Sequence, residues 1–121
     1  MSEKQIKEEI EKITSMARKY QIKYNVTHWD TRNLKLRNKK SNLFVWTIKL
    51  YYPENVAIDD KTIIERFKRI GQMAKKMGWK PDRPLSLNSI RFKGRVVGGQ
   101  YIPGYFSLEL KRELVKRARK R

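Results

Sequence analysis

The chain has 121 residues, no cysteine, and 30 Lys/Arg against 12 Asp/Glu, a formal net charge of +18. Without cysteine it can form no disulfide and no thiolate metal site, and no apolar run reaches the roughly 18 residues that span a bilayer. So large a charge opposes compaction by self-repulsion, which points to a polyanionic partner, nucleic acid first.

The length predicts a single domain, 1–121, around one core. An apolar fraction of 39%, with 3 Trp, 6 Tyr and 4 Phe, suffices for that core and argues against wholesale disorder. The opening MSEKQIKEEIEK is charged and lacks the apolar stretch of a secretory signal. The expectation is an intracellular protein, in the cytoplasm or on the nucleoid, without membrane contact. The charge is uneven. Residues 1–60 hold 12 Lys/Arg and 8 Asp/Glu; residues 61–121 hold 18 and 4.

In chain order, Ile6, Ile13, Ala17 and Tyr20, with Ile10 between, form the apolar stripe of a helix of about four turns. Ser2 is its candidate N-cap. IKYNVTHW then reads as a strand, ended by the turn signal DTRN. NLKLRN and LFVWTIKLYY read as two further strands joined at KKSN, with Asn42 in the turn. Asp59 or Asp60 caps a second helix whose stripe is Ile63, Phe67, Ile70, Ala74 and Met77. Gly78 and Pro81 stop it. Gly71 inside this helix suggests a close approach to another backbone. KPDRPLSLN is a loop. RFKGRVV and QYIPGYF form a hairpin about a Gly98–Gly99 turn. Its core face is predicted as Ile90, Phe92, Gly94, Val96, Tyr101, Pro103 and Tyr105, and Pro103 places its strand at an edge or a bulge. Ser107 caps a last helix through Leu110, Leu114 and Ala118, so that 111–121 is a basic C-terminal helix or tail.

The predicted class is α+β: an antiparallel sheet of four to five strands packed on two amphipathic helices, in the order α-β-β-(β)-α-β-β-α. A shift of 57 residues lays IKEEIEKITSMARKYQIK over IIERFKRIGQMAKKMGWK and the Ser41–Asn42 turn over Gly98–Gly99, which suggests a duplicated helix-plus-hairpin unit. The order resembles, in topology, that of the LAGLIDADG homing endonucleases. Those enzymes carry a metal-binding acid at the end of each repeat's first helix. MARKYQIK and MAKKMGWK contain none, so the chain is not assigned to them.

No catalytic constellation is predicted. His28 and Asp30 share a strand face, as a base and its orienting acid do, but no nucleophile accompanies them. Half of the acids, Glu3, Glu8, Glu9, Glu11, Asp59 and Asp60, sit at helix starts, where capping and the helix dipole account for them. No metal and no cofactor is expected, and Gly98–Gly99 lacks the lysine and helix of a phosphate loop.

Three groups of residues are candidates for nucleic-acid contact. Arg91, Lys93 and Arg95 alternate onto one hairpin face with Gln100 across the turn, and a two-stranded ribbon can enter a major groove. Lys111, Arg112, Lys116, Arg117, Arg119, Lys120 and Arg121 would contact phosphates without reading sequence. Lys61, Arg66, Lys68, Arg69, Lys75 and Lys76 form an additional basic face on the second helix. Tyr51, Tyr52, Trp79, Tyr101 and Tyr105 lie among these cations. A small domain needs most such rings in its core, and those left exposed can stack on bases. The expected function is a non-enzymatic nucleic-acid-binding protein, with double-stranded DNA the first choice and structured or ribosomal RNA the second. The alternatives are a small nuclease and a basic protein that docks an acidic protein partner.

Overall fold

A computed structural model describes residues 3–30, 41–54 and 57–117. The elements are α1 (Glu3–Lys19), β1 (Lys23–Asp30), β2 (Ser41–Pro53), α2 (Asp60–Lys76), β3 (Lys80–Pro81), α3 (Leu87–Ile90), β4 (Arg91–Phe92), β5 (Arg95–Val97), β6 (Gln100–Ile102) and β7 (Tyr105–Arg117).

The apolar stripes of both long helices are buried as the spacing requires. Ile6, Ile13 and Ala17 of α1 and Ile63, Phe67, Ile70 and Ala74 of α2 are all inside. Asp59 caps α2, its carboxylate accepting from the Thr62 N–H at 2.9 Å. Hydrogen bonding to the Thr62 side chain, and then to the Thr62 N–H, holds the Asp59 pKa below its ordinary value. Gly78 takes φ 95° just past the end of α2, as a glycine stop does.

In the sheet, β2 lies between β1 and β7, and all the pairings are antiparallel. The far side of β7 is bordered by two short strands, β3 opposite Lys111–Leu110 and β4 opposite Phe106–Tyr105. Side chains alternate between the faces, and cross-strand partners share a face. Phe44, Trp46, Ile48, Leu50 and Tyr52 of β2, with Phe106, Leu108, Leu110 and Leu114 of β7, form the floor of the core under α1 and α2. The fold is therefore two layers, helices on one sheet face only. This is the predicted α+β class, with an antiparallel sheet of five strands within the expected four to five, but the element order differs from α-β-β-(β)-α-β-β-α.

Several local expectations are corrected. The segment from Ser107 is not a helix: 105–117 is the strand β7, paired along its whole length with β2. Leucines four apart fit a strand face as well as a helix stripe, because four is also a multiple of two. The 90–106 segment is not one continuous ladder. β4 pairs with β7, whereas β5 and β6 pair only with each other. Pro103 has no N–H to give a ladder, and the chain breaks there. Of the expected core face of the hairpin, Ile90 is buried, but the part on the arm is turned out: Val96 is 69% exposed and Tyr101 60%. Ser41 and Asn42 lie inside β2, not in a turn. The 57-residue shift therefore sets a strand on a turn; the likeness of the halves covers the two long helices, the positive-φ residues Gln21 and Gly78 and the strand starts Lys23 and Lys80, and does not reach the hairpins. A Cβ at Gly71 would meet Leu85 side-chain carbons at 2.7 and 2.9 Å, so the close approach is to a side chain, not a backbone. The NLKLRN strand, Ser2 and residues 118–121 lie outside the described residues.

Candidate nucleic-acid interface

The sheet face opposite the helices has nothing packed across it among the described residues. On β2 it carries Val45, Thr47, Lys49 and Tyr51; on β7, Tyr105, Ser107, Glu109, Lys111 and Glu113. The register adds Lys23 beside Tyr51, Trp29 beside Val45, and Lys80 beside Lys111. Lys23, Lys49, Lys80 and Lys111 are all exposed. Two lysines in the middle strands of a sheet are tolerated only because this face is solvated. Glu109 and Glu113 dilute the positive charge here without cancelling it.

Aromatic rings share the face. Tyr105 stacks on Phe92 with centroids 4.8 Å apart and leans on Tyr51 at 5.4 Å. The Arg83 guanidinium lies 5.0 Å from the Phe92 centroid. Tyr51 is 41% exposed and Trp29 50%. The row Arg83–Phe92–Tyr105–Tyr51 restrains these four side chains before any ligand arrives, which reduces the entropy lost on binding.

The second feature is the arm β5–β6. It turns at Gly98 and Gly99, with φ of 58° and 81°, as a two-residue type I′ hairpin requires. Arg95 pairs with Ile102 and Val97 with Gln100, so these four share one face; Val96 and Tyr101 share the other. Arg95 and Ile102 line a shallow cavity of about 180 Å³ with Phe92, Lys93, Pro103 and Tyr105. The Arg95 face of the arm thus borders the Phe92–Tyr105 edge of the uncovered sheet face.

Glu54 braces the arm against the body. Its carboxylate accepts from the Arg91 Nη2 at 3.0 Å, the Tyr101 hydroxyl at 3.1 Å and the Gly104 N–H at 3.4 Å. These three bonds, Arg91 foremost, hold the Glu54 pKa below its ordinary 4.5. The Glu54 bond in turn raises the Tyr101 pKa.

The candidate cations are therefore distributed unequally. Lys93, Arg95 and Gln100 are exposed on or beside the arm, and Lys111 is exposed on the open sheet face. Arg91 is committed elsewhere: it pairs with Glu54 at 3.0 Å and Asp60 at 3.2 Å and lies over the Phe106 ring. Arg112 is buried under the helices, where its Nε donates to Glu9 at 3.2 Å. Lys116 and Arg117 pair with Asn42 and Ser41 at the end of β7; Arg119, Lys120 and Arg121 lie outside the described residues. Lys61, Arg69, Lys75 and Lys76 are exposed on α2, with Arg66 and Lys68 half-buried, on the far side of the molecule from the open face. Arg66 lies 5.8 Å from the Tyr20 centroid, and a hydrogen bond with Tyr20 raises the Arg69 pKa.

Sequence reasoning missed Lys23, Lys49, Lys80 and Trp29 as surface partners of Lys111. They lie on three strands, β1, β2 and β3, and only the register assembles them with Lys111 of β7. His28 stacks on Trp46 at 4.6 Å. Among the described residues no group of three or more His, Asp or Glu side chains could hold a metal ion, and no helix is long and apolar enough to cross a membrane. No family model, no curated protein and no solved structure matches the chain.

Proposed function

We propose that this chain is a non-enzymatic nucleic-acid-binding protein with duplex DNA as its first ligand. The observation that carries the reading is geometric. The uncovered sheet face carries Lys23, Lys49, Lys80 and Lys111 together, and the arm face bearing Arg95 borders it at Phe92 and Tyr105. Cations gathered on one side can neutralise successive phosphates of one ligand, whereas the same number scattered over a sphere cannot. Arg91 and Arg112 are left out of the contact set, because each already serves a carboxylate of its own chain.

Structured RNA is the second reading, favoured by the exposed rings of Trp29 and Tyr51. Unpaired bases of a loop can stack on such rings, and paired bases cannot. The test is direct binding to matched single- and double-stranded DNA and RNA at two salt concentrations. Salt-sensitive binding with duplex DNA tightest is expected. Tightest binding to RNA loops selects the second reading. Failure to bind any of the four, with retention of an acidic protein partner after nuclease treatment, would replace both.

A further inference from the structure

The arm Arg95–Ile102 is unusual in what it exposes. None of its eight residues is buried, yet half of them are large and apolar: Val96, Val97, Tyr101 and Ile102. Tyr101 has a partner in Glu54, and a side chain at Gly94 would run into its hydroxyl, so the arm is held at its base. Val97 has no such role. It stands 51% exposed, next to the turn and directly across the ladder from Gln100. An apolar side chain and a primary amide thus sit side by side at the tip of an exposed two-stranded ribbon. Lys93 and Arg95 flank its base, and the lysines of the open sheet face lie beyond.

The dimensions suit one ligand surface. Three residues of strand are about 10 Å long. The major groove of B-DNA is about 12 Å wide and 8.5 Å deep and admits a two-stranded ribbon. The major groove of A-form RNA is too narrow for side chains to read. In the B-DNA groove a glutamine amide can bond both N6 and N7 of adenine, and an apolar side chain can pack on the thymine methyl. We propose that the arm reads duplex DNA from the major groove, with Gln100 on an adenine and Val97 on a thymine methyl, so that A·T pairs are preferred. Arg95 and Lys93 hold the phosphates at the groove rim. The proposal rests on the nucleic-acid reading above and adds its specificity.

The test uses three short duplexes: one of A·T pairs only, the same duplex with deoxyuridine for every thymidine, and one of G·C pairs only. Deoxyuridine removes the methyl and leaves the hydrogen-bonding edge intact. Affinities are measured by fluorescence anisotropy for the parent, Val97→Ser and Gln100→Ala, at several salt concentrations. Both side chains are exposed, so circular dichroism should be unchanged. The parent should prefer the A·T duplex over the deoxyuridine duplex several-fold and over the G·C duplex about tenfold, as the loss of one base contact implies. Val97→Ser should bind the thymidine and deoxyuridine duplexes equally, and Gln100→Ala should lose most of the preference against G·C. Salt-sensitive binding in which the parent ignores the methyl, or in which both variants keep the preference, overturns this proposal and leaves the nucleic-acid reading standing. Absence of salt-sensitive duplex binding overturns both.

Discussion

Glu9 and Arg112 are 103 positions apart and meet under the helices. The Glu9 carboxylate also accepts the Trp79 indole N–H at 2.8 Å, and the Arg112 Nη1 reaches the Gly78 carbonyl at 3.5 Å. The cluster ties α1 to β7 and to the chain leaving α2. A buried charge left without its partner costs about 3–5 kcal/mol, whereas removing both charges is often neutral. Glu9→Gln keeps an acceptor for Trp79 but removes the buried negative charge that balances the guanidinium, so its stability in urea should fall by up to that amount. Arg112→Met should do the same from the other side. The double variant should recover most of the loss, and additive losses would show that the pair is not coupled. Glu54 gives a second residue-scale expectation. Its pKa is held below the ordinary 4.5. The stability it contributes is therefore complete above its unfolded value and disappears as pH falls through the lowered folded value. Between about pH 5 and pH 2 the parent should lose more thermal stability than Glu54→Gln, which has no such carboxylate to protonate. Parallel losses in the two proteins would mean that the bonds at Glu54 do not favour its charged form.

At the scale of elements, what was legible followed from local signals. Asp59, the Ile63–Ala74 stripe and Gly78 announce the start, face and end of α2, and each is where those signals place it. β1 is announced by its branched and aromatic residues. β7 was missed because its core face reads Phe106, Leu108, Leu110, Arg112 and Leu114. The arginine interrupts the alternation, and the residue that explains it, Glu9, is on the first helix. The open face was missed for the same reason: strand pairing over long separations assembles it, and no window of sequence contains it. The strand assignment has its own test. Leu110 is fully buried between sheet and helices, so Leu110→Ala should cost about 2–5 kcal/mol in urea unfolding, as large-to-small changes in a core do. A loss near zero would remove Leu110 from the core floor where its pairing with Ile48 puts it.

At the scale of the whole molecule, two basic surfaces among the described residues compete as the place where a chain of net charge +18 meets its ligand. One is the open sheet face with its arm; the other is the outer side of α2, on the opposite layer. Counterion release separates them, because each phosphate neutralised on B-DNA contributes about −0.9 to the slope of log affinity against log salt. Replacing Lys23, Lys49, Lys80 and Lys111 together by Gln removes four charges from exposed positions and leaves the buried face of every strand untouched. Replacing Lys61, Lys68, Lys75 and Lys76 by Gln removes four from α2, where Gln keeps a similar helix propensity. Both variants have the same net charge, so a mere long-range field would weaken the two equally. If the sheet face is the contact surface, the first variant should flatten the slope by roughly three to four, while the second keeps the parent slope. A flattened slope in the α2 variant alone would move the interface to the helix layer and strip the arm of its groove.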